Sequence, residues 1–414
     1  MFQALRIRDF RLLWGGGIVS SLGSWLLILA IPVHVFLVTG SLRDTGLTLA
    51  AEYLPLLVLG PVAGVFTDRW DRRRLMIATD LFRAGAVAVM LLGTSPGRYW
   101  VLYVALIAEN SGFVLFTPAL RARIPAIVGT GPVLSSANSL NSFSSGAVRL
   151  IGGPLGGILL TAFGVKWLIC ADAVSYLLSA AAVFLTSQPD GARPGRTTSI
   201  SDVARDLTEG LRILRGQPVA RALLPVTIIF LGANASLSAI LIPFGIRQLG
   251  GSEQTGFLLA GLGAGYLLGA PLLRLLLDRV QPRNLLTACL TATAAAFFLL
   301  FTSSSLSTAL PAVAAVGIFG SMSVVVSQTT LQRVIPNAAL GRVGAVFLTG
   351  EAAATLLGAG AGPFFAQAAH ISGVGIAASL VTLCAAALTF LIVPRMPAIA
   401  PPPAPPPVRD GAAG

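Results

Sequence analysis

The sequence predicts an all-α polytopic membrane protein, with twelve transmembrane helices in two pseudo-symmetric six-helix bundles. Three observations lead to this fold class. First, 55% of the 414 residues are hydrophobic and only 11% are charged, whereas soluble domains carry about 25% charged residues. Second, apolar stretches of about 20 residues, the length that crosses a bilayer, fill nearly the whole chain. Third, the second half of the chain repeats spaced features of the first half.

Twelve stretches qualify as membrane spans by length and apolar character. Their predicted limits are 12–39, 46–67, 75–94, 99–119, 142–164, 167–187, 220–246, 254–277, 284–303, 308–328, 342–367 and 373–393.

The repeat has a period of about half the chain. Asp68 and Asp278 are 210 residues apart, and so are Arg69 and Arg279. Two homologous halves of six spans, both in the same orientation, are the simplest explanation. Parallel six-helix halves with a substrate site between them are a known transporter plan.

Composition divides the chain into four regions. Residues 1–188 and 219–396 are predicted to form the two six-helix bundles. Residues 189–218 are predicted to form a cytoplasmic linker, in which apolar residues at helical spacing among charged ones indicate an amphipathic helix on the membrane surface. The Pro- and Ala-rich tail, 397–414, is expected to be disordered.

Basic residues indicate how the chain is oriented. Of the 28 basic residues, 22 fall in alternate loops and termini, four in the intervening loops and two within spans. The positive-inside rule therefore predicts that both termini lie in the cytoplasm. The loops also account for the net charge of +12, so no nucleic-acid partner is predicted.

The loop after the second span contains the sequence GVFTDRWDRR, from Gly64 to Arg73. It resembles the signature of the major facilitator superfamily between spans two and three, where a glycine is followed by Asp-Arg and then by a basic pair. Here those residues are Asp68-Arg69 and Arg72-Arg73. Asp71 stands where the family often has glycine. The resemblance covers the whole chain, because span number, repeat and central linker agree with it.

The sequence around this signature, including the stretch 10–14 (FRLLW), is similar to that of drug and siderophore exporters typified by macrolide-efflux and enterobactin-export proteins. The resemblance implies a secondary transporter of the bacterial cell membrane that exports an amphipathic drug, antibiotic or siderophore by proton antiport with alternating access. It also implies a small-molecule substrate, protons and the lipid bilayer as partners, a monomer, and no cofactor. Many such exporters carry an acid near position 24, where this chain has Ser24.

The fifth span contains a glycine-proline stretch that is similar to a motif of facilitator antiporters. Its residues are Gly153, Pro154, Gly156 and Gly157. Glycines let helices approach closely, and proline permits a kink, so this helix could rock between the bundles. The alternative is that these small residues only allow tight packing.

Charged residues inside spans are candidate functional groups, because each costs roughly 2.5–3.5 kcal/mol to insert on translocation scales. Glu109, followed by Asn110, is the first candidate for proton binding or cation recognition. The alternative for Glu109 is a structural ion pair, for example with Arg149, which is itself expected to be structural or tuning. Glu52 and Glu351 could carry protons or make a polar helix contact.

A second group of charges is predicted to form a network at the cytoplasmic gate, with Asp80 and Arg83 three residues apart on one helix face. The resemblance implies that this network holds one state of the transport cycle. Its members are Asp68, Arg69, Arg72, Arg73, Asp80, Arg83, Asp278 and Arg279.

Three alternatives to export remain at this stage. A proton-coupled uptake symporter for a small solute would share the same architecture. A membrane-embedded enzyme would require a nucleophile, metal or paired-acid constellation, and the sequence shows no HExxH, GxSxG or P-loop lysine pattern. A non-transporting scaffold would be expected to have a large soluble domain. No metal site is predicted.

Overall fold

A computed structural model describes residues 3–95, 97–129, 132–187, 200–276 and 279–395. Almost all of these residues are helical, because in a bilayer each backbone N–H and C=O must be paired within its own segment. After a short 3₁₀ turn at Gln3–Arg6, twelve helices follow in chain order. They are α1 (Arg8–Thr39), α2 (Leu42–Arg69), α3 (Arg72–Gly93), α4 (Trp100–Val128), α5 (Pro132–Phe163), α6 (Val165–Phe184), α7 (Ile200–Gly216), α8 (Pro218–Gln248), α9 (Ser252–Leu276), α10 (Pro282–Thr302), α11 (Leu306–Val334) and α12 (Asn337–Ile392).

The helices agree with the twelve predicted spans. By length and composition, ten segments of the described chain qualify as membrane spans, two of them within α12 (Ala339–Gln367 and His370–Ile392). The helices α2 and α5, with 28 and 32 residues, complete the set of twelve. The all-α, twelve-span fold class is therefore confirmed. The division into bundles at 188 and 219 stays a prediction, and the tail predicted at 397–414 lies outside the described residues.

Several helices are longer than the predicted spans. The fourth span was predicted to end at 119, but α4 continues to Val128, and α5 begins ten residues before the predicted start of its span. Spans eleven and twelve form one element, α12, which changes direction where His370 takes a positive φ of 61°. The hydrophobic pattern marks only the part of a helix that lies in hydrocarbon, whereas helical hydrogen bonding continues into polar sequence.

Successive spans alternate in direction, so the molecule has two membrane faces. We call the face at which α1 begins the proximal face and the face at which α1 ends the distal face. The buried apolar side chains form four clusters. Two lie among the first six helices, one toward each face, and one joins α8–α12 to Leu214 of α7. The fourth, toward the distal face of α8–α12, also contains Phe36 of α1 and Leu42 of α2. Large apolar side chains such as Trp167, Leu357 and Leu391 are at least 70% exposed, as expected for surfaces that contact lipid.

Several helix pairs are packed almost backbone to backbone, among them α1 with α5 and α8 with α12. A Cβ atom at Gly156 of α5 would lie 2.5 Å from the Leu26 carbonyl oxygen of α1. In α12, Gly358 lies against the backbone of Gly232 in α8, and the Ser236 hydroxyl donates a 2.8 Å hydrogen bond to the Gly358 carbonyl. Small residues that permit such an approach are typical of membrane helix interfaces, where dispersion and hydrogen bonding replace the hydrophobic effect.

The first six helices meet the last five toward the distal face. A Cβ at Gly46 of α2 would lie 2.6 Å from the Pro363 side chain of α12. At the end of α8, Arg247 donates a 2.8 Å hydrogen bond to the Gly40 carbonyl in the turn between α1 and α2. Gly157 of α5 also faces α9. These contacts join the two sets of helices at the distal face.

The linker helix α7 packs against α12 near the proximal face. Glu209 of α7 forms a 3.0 Å ion pair with Arg342, and Gly210 lies against the Arg342 carbonyl. The Leu214 side chain is buried with residues of α8 and α12. An amphipathic helix at this position agrees with the sequence pattern, although residues 188–199 lie outside the described chain.

We predict that Gly358→Leu destabilises the protein, because the added side chain would overlap the α8 backbone. Overpacking of this kind typically costs about 1–3 kcal/mol, which should lower the thermal midpoint in detergent by several degrees. Gly360→Leu is the matched control, since Gly360 is exposed on the same helix with open space at its Cβ position. Equal midpoints for the two variants would contradict the packing described here.

Candidate functional site

A buried hydrogen-bonded cluster lies in the first six helices, centred on Glu109 of α4. Its Oε1 accepts hydrogen bonds from Arg83 Nη2 of α3 at 3.0 Å and from the Tyr176 hydroxyl of α6 at 2.5 Å. Its Oε2 accepts from the Asn110 side-chain amide at 2.8 Å. Three donors therefore surround a carboxylate that is only 8% exposed.

Arg83 fills the space between α3, α4 and α6. It is 3% exposed, donates to the Tyr176 oxygen at 2.5 Å, and its guanidinium lies 4.0 Å from the centre of the Tyr176 ring. Phe113 provides a second ring at 5.4 Å. Gly112 leaves room for the Arg83 stem, because a Cβ there would overlap the Arg83 Cγ. Stacking on aromatic rings is favourable for a desolvated guanidinium.

The position of Arg83 corrects the sequence interpretation. Asp80 and Arg83 were assigned to a gate near the cytoplasm, but Arg83 lies eleven residues into α3. At 1.5 Å per residue this is about 16 Å from the start of the helix, which is near the middle of a core about 30 Å thick. Arg83 therefore belongs with Glu109, to which its guanidinium donates a 3.0 Å hydrogen bond.

Glu109 forms an ion pair with Arg83. The predicted alternative, an ion pair of Glu109 with Arg149, stays a prediction, because the side chain of Arg149 lies outside the described residues. The same is true of the side chains of Asp68, Arg69 and Asp278.

Asp80 lies one turn before Arg83 and is fully buried. Its Oδ1 is 3.7 Å from Arg83 Nη1, so the charge of Asp80 has a counter-ion, although neither oxygen has a hydrogen-bond partner in the described part of the chain. Arg83 is thus shared between two carboxylates on different helices, and each of them holds one edge of the guanidinium.

The cluster extends to α1 through hydroxyl groups. The Ser24 hydroxyl lies 2.7 Å from the Tyr176 hydroxyl. One turn earlier on α6, Asp172 is 1% exposed and accepts a 3.0 Å hydrogen bond from Ser175. Gly23 of α1 packs against Asp172 and Ser175 with no room for a side chain. Four helices, α1, α3, α4 and α6, therefore contribute polar groups to one site.

Among the buried carboxylates at this depth, Glu52 of α2 has the fewest described polar contacts. It is 7% exposed, and neither of its oxygens has a hydrogen-bond partner among the described residues. It lies close enough to Glu109 for the two carboxylates to interact electrostatically. An ionised carboxylate in such surroundings is costly unless it is paired.

The remaining candidates from the sequence lie apart from this cluster. Arg73 donates to the carbonyls of Val183 and Phe184 at the end of α6, where cations are favoured. Arg279 is exposed between α9 and α10, Arg72 is half-buried at the start of α3, and Glu351 is half-buried in α12.

The glycine-proline stretch of α5 provides close packing at two of its positions. Gly156 packs on α1. A Cβ atom at Gly157 would lie 3.9 Å from a methyl group of Leu259 in α9, which is an ordinary van der Waals contact. The surroundings of Gly153 and Pro154 lie outside the described residues. The interpretation of this stretch as a rocking element stays a prediction.

Sequence reasoning missed Tyr176. A signal was present, because Asp172, Ser175, Tyr176 and Ser179 are spaced i, i+3, i+4 and i+7. This spacing puts all four polar side chains on one face of α6. A polar stripe along an otherwise apolar helix is a sign that the stripe faces the bundle interior.

A family model described as "Transmembrane secretion effector" matches residues 1–406. The chain is 30% identical over 258 residues to the uncharacterized MFS-type transporter YfiS of Bacillus subtilis, covering 61% of this chain and 60% of the relative. It is 28% identical to the multidrug efflux pump Tap of Mycolicibacterium fortuitum over 61% of this chain and 63% of Tap.

Another relative matches over most of its length. The chain is 27% identical to the enterobactin exporter EntS of Citrobacter koseri, covering 97% of this chain and 95% of EntS. Among solved structures, the nucleoside transporter NupG superimposes with a TM-score of 0.74 over 94% of this chain and 100% of its own, at 10% identity. That likeness concerns the fold alone.

We predict that Arg83 and Glu109 are energetically coupled. In a double-mutant cycle of Arg83→Gln and Glu109→Gln, each single change removes one partner of the 3.0 Å ion pair and the double change removes both. Loss of the Asp80 counter-ion is common to Arg83→Gln and the double change, so it cancels in the cycle. The expected coupling is about 1–3 kcal/mol, measured as unfolding free energy during SDS titration in mixed micelles.

A cycle of Arg74→Gln with Glu109→Gln is the matched control, because Arg74 is exposed at the start of α3. These two changes should add within about 0.5 kcal/mol. Additivity in both cycles would mean that the Arg83–Glu109 contact contributes nothing to folding.

Proposed function

Because the chain belongs to the major facilitator superfamily, by its match to the transmembrane secretion effector family over residues 1–406, and is therefore a secondary transporter, we propose that it exports an amphipathic small molecule by proton antiport. A drug, an antibiotic or a siderophore is the proposed cargo class. The proposed mechanism is alternating access, with the substrate moving between the two sets of helices.

The names of the relatives support the direction of transport. Tap is named as a multidrug efflux pump and EntS as an enterobactin exporter. The matched segment spans only about 60% of YfiS and of Tap, so export by the whole protein is inferred here rather than transferred from them. EntS, aligned over nearly its full length, supports the same direction.

One observation carries the proposal of proton coupling. Four carboxylates, Glu52, Asp80, Glu109 and Asp172, are buried in the first six helices at a depth where Arg83 is the cation in contact with two of them. A low-dielectric interior does not hold several unpaired negative charges. Proton binding is the least costly way to neutralise a carboxylate that has no counter-ion among the described residues, and exchange of such a proton across the membrane would couple substrate movement to the proton gradient.

The contacts between the two sets of helices support a state closed at the distal face. At that face Gly46 packs against Pro363, and Arg247 donates a hydrogen bond to the Gly40 carbonyl. In an alternating-access cycle these contacts would separate when the distal face opens. We propose that the charges after α2 and α9, including Arg72, hold the proximal face in the opposite state.

The proposed setting follows from the family and from the charge pattern. The protein is a multi-pass membrane protein, and the bacterial relatives suggest the cytoplasmic membrane. We propose that both termini are cytoplasmic, so that the proximal face is the cytoplasmic one, and that the transporter acts as a monomer.

We predict that a proton gradient drives efflux of a cationic amphipathic probe such as ethidium from proteoliposomes containing the purified protein. A gradient of one pH unit supplies about 1.4 kcal/mol per proton, which changes the limiting accumulation ratio by about tenfold for each coupled proton. A macrolide and a siderophore extend the probe panel to neutral and anionic substrates. Probe fluorescence or radiolabel is followed with and without the gradient.

Protein-free liposomes and collapse of the gradient with a protonophore are the controls. If a probe moved in the same direction as the protons, uptake symport would replace export as the proposed function. If the gradient affected no probe in the panel, proton coupling would be wrong.

We predict that alkaline phosphatase fused after Arg98, in the loop between α3 and α4, is active, whereas a fusion after Gln217, between α7 and α8, is inactive. The enzyme folds only outside the cytoplasm, and the basic residues place these loops on opposite sides. A fluorescent-protein fusion at each site should give the reverse pattern. Activity at Gln217 would overturn the proposed orientation.

A further inference from the structure

We propose that Glu52 of α2 is the carboxylate that carries the exchanged proton, and that Glu109 stays ionised as the fixed partner of Arg83. This assignment rests on the proposed proton antiport and assigns its chemistry to one side chain. It differs from the expectation from sequence, which ranked Glu109 first.

Among the described residues, no group stabilises the charge of Glu52. It is 7% exposed and both of its oxygens are buried without a hydrogen-bond partner there. The two hydroxyls nearest along its own helix face are already engaged, since Thr45 donates to the Ser41 carbonyl and Thr48 to the Thr45 carbonyl. The described part of the chain therefore offers Glu52 neither a donor nor a cation.

The charged neighbour of Glu52 makes ionisation still less favourable. The helices packed against α2 are α1, α4, α7, α8 and α12. Among the described residues of these helices, the charged group that acts on Glu52 is Glu109 of α4. A second negative charge beside Glu109 would be repelled without compensation, so the neutral carboxylic acid is the form that fits this site.

Each of the other three carboxylates has a polar or cationic partner among the described residues. Glu109 accepts from Arg83, Tyr176 and Asn110. Asp80 lies 3.7 Å from Arg83, and Asp172 accepts from the Ser175 hydroxyl. Removing the charge of Glu109 would leave Arg83 without its closest counter-ion, whereas adding a proton to Glu52 removes no favourable contact.

The position of α2 connects this proton to the transport cycle. The helix carries Glu52 on the face toward α4, and it carries Gly46, which contacts α12 near the distal face. Separation of α2 from α12 would change the access of water to Glu52. A proton from water on one side binds the Glu52 carboxylate, and the O–H bond breaks when water on the other side accepts the proton. The net result is one proton moved, with no other reactant.

Infrared difference spectroscopy of the purified protein in lipid tests whether the Glu52 carboxylate is protonated, and it needs no substrate. At neutral pH we expect the carbonyl band of a protonated carboxylic acid to lose intensity in Glu52→Gln. The band should persist in Glu109→Gln and in Glu209→Gln, the latter being a control at an acid outside the spans. An unchanged band in Glu52→Gln, or its loss in Glu109→Gln, would overturn the assignment.

Ethidium transport in proteoliposomes tests the coupling role. Glu52→Gln, which has the size of the neutral acid but cannot ionise, should still exchange ethidium across the membrane at equal pH. Its limiting ethidium accumulation ratio should not respond to a one-unit pH gradient that changes the wild-type ratio about tenfold for each coupled proton. Glu52→Asp keeps an ionisable carboxylate and should retain part of the response, which separates a lost proton site from a misfolded protein.

The two experiments separate failure of this inference from failure of the proposed function. If wild-type flux responds to the gradient and Glu52→Gln responds equally, Glu52 is not the carrier although antiport stands. If wild-type flux does not respond, antiport fails, and the infrared result still decides whether Glu52 holds a proton.

Discussion

The buried ion pair between Arg83 and Glu109 is the constraint on which the first six helices depend. A guanidinium at mid-membrane depth requires a counter-ion, donors and acceptors with fixed geometry, and packing that excludes lipid. Groups on α4 and α6 meet these requirements. Tyr176 of α6 both stacks on Arg83 and donates to Glu109, and Gly112 of α4 makes room for the Arg83 stem. The cluster therefore fixes how α3, α4 and α6 are rotated relative to one another.

The repeat in the sequence duplicates the fold but not this chemistry. The positions 210 residues after Glu52, Asp80 and Glu109 are Leu262, Leu290 and Phe319, all apolar. Glu351 is the acid described within the spans of the second half. The helices of the second half thus pack through aliphatic and aromatic side chains and close glycine contacts. One half supplies the buried charges, and the other half supplies an apolar wall opposite them, which is compatible with an amphipathic cargo.

The sequence was sufficient for the helices and for the candidate charges, and insufficient for their pairing. Span positions follow from local apolar length, and a charge inside a span is visible by inspection. The partner of Glu109 depends on helix rotation and depth, which are set by long-range packing. Asp80 and Arg83 were placed at the gate because they share one face of the helix that follows the charged loop, although eleven residues of helix carry Arg83 to mid-membrane. The polar stripe on α6 could have identified Tyr176 from its spacing alone.

The glycine contacts between α1 and α5 and between α8 and α12 restrict how these helices can move. Where backbone meets backbone, as at Gly358 and Gly232, no side chain lies between the helices to change rotamer and absorb a displacement. A slide of one residue along the axis would drive a neighbouring side chain into the opposing backbone, so the contact exists in a single register. Shear within these pairs is therefore blocked, and any large motion must carry both helices of a pair together as a rigid unit.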